Sequence, residues 1–252
     1  MKTIQSVQSY DSSTVAYHKA FQLFLDHTDQ KAKAKAWLDQ LIGRLPAKRV
    51  FIDAGAGTGK VTAWFADAFQ RTIAAEPNAS LRQELTRVCP RAEVLSEMIL
   101  DASISDKGDF ILSSHVFYYI DGQAWLDNLD RLASWLSSEG SLVVVLQNHE
   151  SDCMKMLQHF LGRSFNLSTL ASAFETKNPG RYHISMEAVP CHVTTSDLET
   201  AYTVAEFMLN LLPLPQPPPS EDLREYVRKH FTVPDGGYRF SCTQDFLHIR
   251  GI

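Results

Sequence analysis

Asp53 and Glu76 each end an apolar run, and between them glycine stands at three alternate positions, Gly55, Gly57 and Gly59. An acid at a strand tip can accept hydrogen bonds from sugar hydroxyls. A glycine turn lets backbone come close to a ligand with no Cβ in the way. For these groups to meet, the chain must run strand, turn, helix, strand. Val50 to Asp53 supplies the first strand, and Ile73-Ala74-Ala75 the second, capped by Glu76. The second acid lies about 20 residues beyond the turn, the separation such a unit needs.

Two details separate the possible ligands. A dinucleotide fingerprint reads G-x-G-x-x-G, whereas here the third glycine comes one residue early and Asp53 precedes the turn. Lys60 does not make a P-loop, because the four-residue spacer between glycines is missing. The segment resembles the S-adenosylmethionine-dependent methyltransferases of the Rossmann-like class. That resemblance implies that Asp53 and the turn (Gly55, Ala56, Gly57, Thr58, Gly59) face the amino-acid part of the cofactor. It also implies that Glu76 and Pro77 hold the ribose. Ser96, Glu97 and Met98, after the third strand, are where the adenine is expected, with Glu97 accepting from its amine. A tight turn without a ligand is the plain alternative.

Composition narrows the field. A net charge of -5, with basic residues scattered along the chain, argues against a nucleic-acid backbone as partner. No run of 18 apolar residues occurs, and the N-terminus lacks the apolar core of a signal peptide. Cys89, Cys153, Cys191 and Cys242 show no metal-binding spacing, which suits reduced thiols in a cytoplasmic enzyme without a metal. With no coiled-coil repeat, a monomer is expected.

The periodicity predicts helices within 13–43, broken at 26–30, and then at 61–70, 79–88 and 123–136, with Gly140 stopping the last. Asn78 is the expected cap of the third of these segments. Strands are predicted at 92–95, 109–112 and 141–146. This alternation calls for an α/β fold, a doubly wound, mostly parallel sheet. The tail reads as a helix at 151–175, a strand at 181–193, a helix at 196–211, a proline-rich loop, a helix at 221–230 and a strand at 238–249. The family resemblance makes the sheet seven-stranded with an antiparallel last strand. Residues 1–46 are expected to form a helical lid or substrate segment. Residues 47–252 would be the methyltransferase domain, with substrate-binding additions in 151–235.

A second resemblance covers much of the chain. The pattern Tyr17 to His27, then Phe117-Tyr118-Tyr119-Ile120, Leu142 to Leu146, Glu206-Phe207 and the closing Phe240 to Ile249 is similar to the histamine N-methyltransferase family. It implies that Tyr17, Phe21, Tyr118 and Tyr119 line an amine pocket, where aromatic faces suit a flat or cationic substrate. A core role for Phe21 and Tyr118 is the alternative. That family binds its amine with a glutamate in the turn where this chain has Asp29 and Gln30. Gln30 is nearest the position, and a neutral amide cannot neutralise an ammonium. Two tryptophans of the family correspond here to Met154 and Gln158, so histamine is not the expected substrate.

Methyl transfer requires two partners held in line, and neither a covalent intermediate nor a metal. A proton acceptor helps some nucleophiles. His115, at the end of the fourth strand, has the best position; Tyr119 is placed beside it, and His149, Glu150 and Asp29 are further candidates. A contact between His115 and the cofactor alone is the other reading. The chain is thus expected to methylate a small molecule, on an amine or heterocyclic nitrogen. Methylation of oxygen, tailoring of a peptide or natural product, and a cofactor-binding protein without catalysis are the alternatives.

Overall fold

A computed structural model of the chain describes residues 5–10 and 14–251. The helices are α1 (Val15–His27), α2 (Gln30–Gly43), α3 (Thr62–Phe65), α4 (Ala79–Val88), α5 (Trp125–Ser134), α6 (Asp152–Leu161), α7 (Leu167–Lys177), α8 (Leu198–Leu209) and α9 (Ser220–Phe231). The strands are β1 (Val50–Ala54), β2 (Arg71–Ala75), β3 (Glu93–Leu95), β4 (Gly108–Ser114), β5 (Leu136–Gln147), β6 (Tyr182–Val189), β7 (His192–Thr195), β8 (Tyr238–Ser241) and β9 (Gln244–Gly251). They form two compact units. One contains the described residues up to Ala34 with Gln147–Phe165 and Val189–Gln244; the other contains Lys35–Leu146, Asn166–Ala188 and Asp245 onward.

The second unit is built on a seven-stranded sheet of order β3-β2-β1-β4-β5-β9-β6. Strands β1 to β5 run parallel, and the last strand is antiparallel, as expected. Central strands buried on both faces must be apolar throughout. Phe51, Ile52, Phe110, Ile111, Leu112 and Val143 are accordingly closed to solvent. Reversal of strand order beside β1 leaves the carboxyl ends of β1 and β4 as the place where open α/β sheets bind ligands.

Several local expectations need correcting. The first crossover, read as one helix over 61–70, is a single α-helical turn followed by a 3-10 turn at Ala66–Ala68. The tighter turn brings both Phe65 and Phe69 onto Phe51 and Phe110, with ring centroids 5.5–6.3 Å apart. Gly140 does not stop a helix. It lies inside β5, where a Cβ would come within 2.4 Å of the Gly108 carbonyl oxygen, and the register with β4 shifts at that point. The helix read over 151–175 is two, because Gly162 closes α6 in a left-handed conformation with φ 64°.

The first unit holds a sheet that the periodicity did not separate. The stretch 181–193, read as one strand, divides at Pro190, which lacks an N–H to continue the ladder. The run 238–249 divides at Cys242-Thr243. The inner halves pair as an antiparallel ribbon, β7 with β8, while β6 and β9 join the large sheet. Helix α9 seats Leu223, Val227 and Phe231, spaced four apart, in the core of this unit. Its first-turn acids and last-turn bases complement the helix dipole.

Candidate functional site

Near the end of strand β1 stands Asp53, which is 2% exposed, and its Oδ2 accepts the Thr62 hydroxyl at 2.6 Å. Burial pushes the carboxyl up to about 7 against the lowering effect of that hydrogen bond, and the Glu76 charge adds to the rise. A cation beside Asp53 would restore its ionised form. Thr62 was not picked out from sequence; its nine-residue offset from Asp53 becomes meaningful only once the turn is folded.

The turn is held from beneath. The N–H groups of Gly55 and Ala56 both donate to the Ala75 carbonyl, at 2.8 and 3.0 Å. Gly55, Gly57 and Gly59 all have positive φ, but what surrounds each differs. A Cβ on Gly55 would meet Val116 Cγ2 at 2.3 Å, and one on Gly59 would meet Leu85 Cδ1 at 2.7 Å. A Cβ on Gly57 meets nothing within 4 Å. Two glycines are therefore required by protein packing, and the middle one faces open space.

Glu76 caps β2 at 6% exposure. Its Oε2 accepts the Gly57 N–H and its Oε1 the Asn78 N–H, each at 2.8 Å. A carboxylate has about four lone-pair sites, so each oxygen keeps capacity for a sugar hydroxyl. Asn78 also caps α4, as its residue type foretold, accepting from Ser80 and Leu81. Arg82 donates to the carbonyls of Glu76 and Pro77 at 2.8 and 2.7 Å, which fixes the chain after β2. Ser96 and Glu97 are exposed after β3, and Met98 is 62% exposed.

At the end of β4, His115 has φ 61° and is the non-glycine residue with positive φ among the described residues. Strain of this kind persists where the surroundings over-determine the backbone, and it gathers at functional sites. The His115 N–H donates to the Val145 carbonyl at 2.8 Å, and its ring stacks on Tyr118 at 5.8 Å. The turn it makes delivers Val116 against Gly55. Tyr118 is 2% exposed and Tyr119 is 68% exposed, so adjacent tyrosines have opposite surroundings.

In the first unit, α1 presents Tyr17, Phe21 and Phe24 to Phe207 of α8, with centroids 5.6–5.7 Å apart. Phe24 is buried, while Tyr17, Phe21 and Phe207 are half-buried. Phe207 lacked any signal as a site residue in a run of helical apolar positions. Gln30 is 2% exposed, and its amide donates to the Cys242 carbonyl at 3.2 Å. Asp29 accepts the His192 N–H and pairs with Lys33 at 2.8 Å, and these contacts hold its carboxyl below the usual range despite its burial. Met154 is buried in the same unit. His149 and Glu150 pair with each other at 3.3 Å, and Glu150 also pairs with Lys155.

The turn and its acids fit a nucleoside carrying a cationic tail: an acid with lone pairs free for hydroxyls, a buried carboxyl that gains from a cation, and a glycine beside open space. A methyltransferase-domain model matches residues 25–198. Among solved structures, the chain resembles a candidate methyltransferase from Bacillus halodurans, with TM-score 0.62 and 13% identity over 86% of this chain and 97% of that one. It resembles the YcgJ protein of Bacillus subtilis with TM-score 0.59 and 13% identity, over 85% and 97%. The N-methyltransferase NodS of Bradyrhizobium japonicum, solved with S-adenosyl-L-homocysteine, gives TM-score 0.59 and 13% identity, over 94% and 99%. No curated protein matches the sequence. At that identity the structures speak for the fold, and the family model covers most of the chain: it belongs to the methyltransferase-domain family, with the class I fold of enzymes that take their methyl group from S-adenosylmethionine.

Proposed function

We propose that this enzyme methylates a nitrogen of a small aromatic or cationic molecule. The observation that carries this reading is the aromatic surface of Tyr17, Phe21 and Phe207, half-buried and assembled from two helices. Aromatic faces bind flat rings by stacking and cations through the ring quadrupole. The resemblance of Tyr17 to His27 to the histamine N-methyltransferase family supports the same assignment.

When bound, S-adenosylmethionine supplies a methyl group activated by a sulfonium. Glu76, backed by Pro77, would hold the ribose hydroxyls, and Asp53 the cationic amino-acid end. The backbone from Gly55 to Gly59 would lie against the ligand, with Ser96, Glu97 and Met98 around the adenine. His115, with its ring steadied by Tyr118, is the group we assign to receive the acceptor's proton at an imidazole nitrogen. The same resemblance assigns Tyr118 and Tyr119, as well as Tyr17 and Phe21, to the acceptor. Gln30 we assign to holding the α1–α2 turn, since its amide is engaged by Cys242. Residues 1–46 and the additions in 151–235 supply the acceptor side; α1, α6, α8 and α9 do share one unit, while residues 35–46 and 166–188 belong to the other. Four free, buried cysteines suit a reducing, cytoplasmic setting.

The test is a panel of phenethylamine, tyramine, tryptamine and catechol, followed by S-adenosylhomocysteine release. Turnover of the amines is expected. Turnover of catechol alone would replace the proposal with oxygen methylation. Tight S-adenosylhomocysteine binding without turnover on any nitrogen or oxygen nucleophile would point to a binding protein.

A further inference from the structure

Glu206 is a buried carboxylate in the middle of α8, 7% exposed, and it has no part in the chemistry described above. Its Oε1 accepts the Tyr202 hydroxyl at 2.9 Å and the Gln8 N–H at 2.8 Å; its Oε2 accepts the Tyr10 hydroxyl at 2.9 Å. One turn on, Asn210 accepts the Tyr10 N–H and donates to the Gln8 carbonyl, at 2.8 and 2.9 Å. The same N-terminal segment is tied at its other end. Val7 donates to the Pro218 carbonyl at 2.9 Å, and Ser220 donates to the Gln5 carbonyl from both its N–H and its hydroxyl, at 2.8 and 2.9 Å.

Residues 202, 206 and 210, spaced four apart, form one stripe of α8. Phe207, turned from it by about 100°, carries α1 through Tyr17, Phe21 and Phe24. One helix thus holds the N-terminal segment on one stripe and the aromatic helix on the next, and Tyr10 and the α1 cap at Thr14 stand four positions apart in the sequence. A buried charge satisfied by three donors is strongly directional, and losing a donor is costly where water cannot replace it.

We propose that Glu206 is a positioning residue: by clamping residues 5–10 to α8, it fixes the register in which α1 presents its aromatic face to the acceptor. This rests on the reading of Tyr17 and Phe21 as acceptor residues. It adds that acceptor affinity depends on a carboxylate that touches neither substrate nor cofactor.

Tyr10→Phe removes one donor and keeps the ring; Glu206→Gln is the stronger change. Hydrogen exchange is read at Gln8 and Tyr10 in the strap and at Ala20, Phe21 and Phe24 in α1. Calorimetry follows S-adenosylhomocysteine affinity. For Tyr10→Phe we expect exchange at least tenfold faster in both the strap and α1, with cofactor affinity within twofold of wild type. The KM for the amine of the panel that turns over fastest should rise several-fold, with kcat within twofold. Faster strap exchange with α1 protection unchanged would overturn the proposal, as would unchanged exchange throughout or a KM that does not move. If Glu206→Gln does not fold, Tyr10→Phe decides alone. If no panel amine is turned over, the acceptor reading falls, and α1 exchange still decides whether Glu206 positions that helix.

Discussion

Glu76 Oε2 accepts the Gly57 N–H at 2.8 Å, so the acid at the tip of β2 and the turn after β1 form one hydrogen-bonded unit. The acid shapes the backbone of the turn, and in the proposed site its remaining lone pairs would accept ribose hydroxyls.

Replacing Glu76 with alanine should weaken S-adenosylhomocysteine binding by about 1.5–3 kcal/mol, the range for hydrogen bonds to a charged group. Glu76→Gln keeps one acceptor oxygen and should lose less. Calorimetry on the two variants checks the order, and equal affinity to wild type in both would remove Glu76 from the site.

Gly57→Val and Gly55→Ala should separate ligand from fold, although the two glycines are only two residues apart. At Gly57 a side chain enters open space, where the proposed site puts the ligand. Its strain at φ 57° is about 1–2 kcal/mol, so binding should be lost with the circular-dichroism spectrum kept. At Gly55 a Cβ strikes Val116, and the melting temperature should fall markedly. Normal cofactor binding by Gly57→Val would make the turn purely structural.

Asp53 predicts a pH dependence of the ligand-free protein. Its folded pKa, about 7, lies above the ordinary carboxylate value, so the folded state binds the proton more tightly than the unfolded one. Its contribution is then fully present below about pH 4 and is lost as pH rises through 7, by a few kcal/mol at order of magnitude. Asp53→Asn should stay stable across that window, so its advantage in melting temperature over wild type should grow from pH 5 to pH 8. A constant difference would mean that Asp53 ionises normally. The same variant should bind S-adenosylmethionine poorly, having lost the charge.

His115→Gly tests whether strain at the end of β4 serves activity. Glycine adopts φ 61° without penalty but gains freedom in the unfolded chain, and the two effects are each about 1 kcal/mol. The melting temperature should hold or rise slightly while methyl transfer to the panel amine falls at least tenfold, the lower range for loss of a proton acceptor being larger still. Undiminished turnover would remove the imidazole from the reaction.

The sequence alone determined the unit to which the cofactor is assigned. Asp53, the glycine turn, Asn78 and Glu76 are consecutive parts of one strand–turn–helix–strand unit, so local spacing fixes which groups meet. The doubly wound α/β arrangement followed from the alternation of apolar runs with amphipathic segments, and the antiparallel last strand from the family resemblance. Only the tertiary structure decided what depends on pairing distant segments. The β7–β8 ribbon joins residues 192–195 to 238–241, and a strand-like stretch of twelve residues looks the same whether it is one strand or two in different sheets. The distinct duties of Gly55 and Gly57 came from Val116, some 60 residues away. Glu206 would read as an exposed helical acid; it is buried because Tyr10 and Gln8, nearly 200 residues earlier, supply its donors. Spacing reveals partners within a supersecondary unit, whereas a contact closed across a long loop is set by packing and leaves no periodic trace.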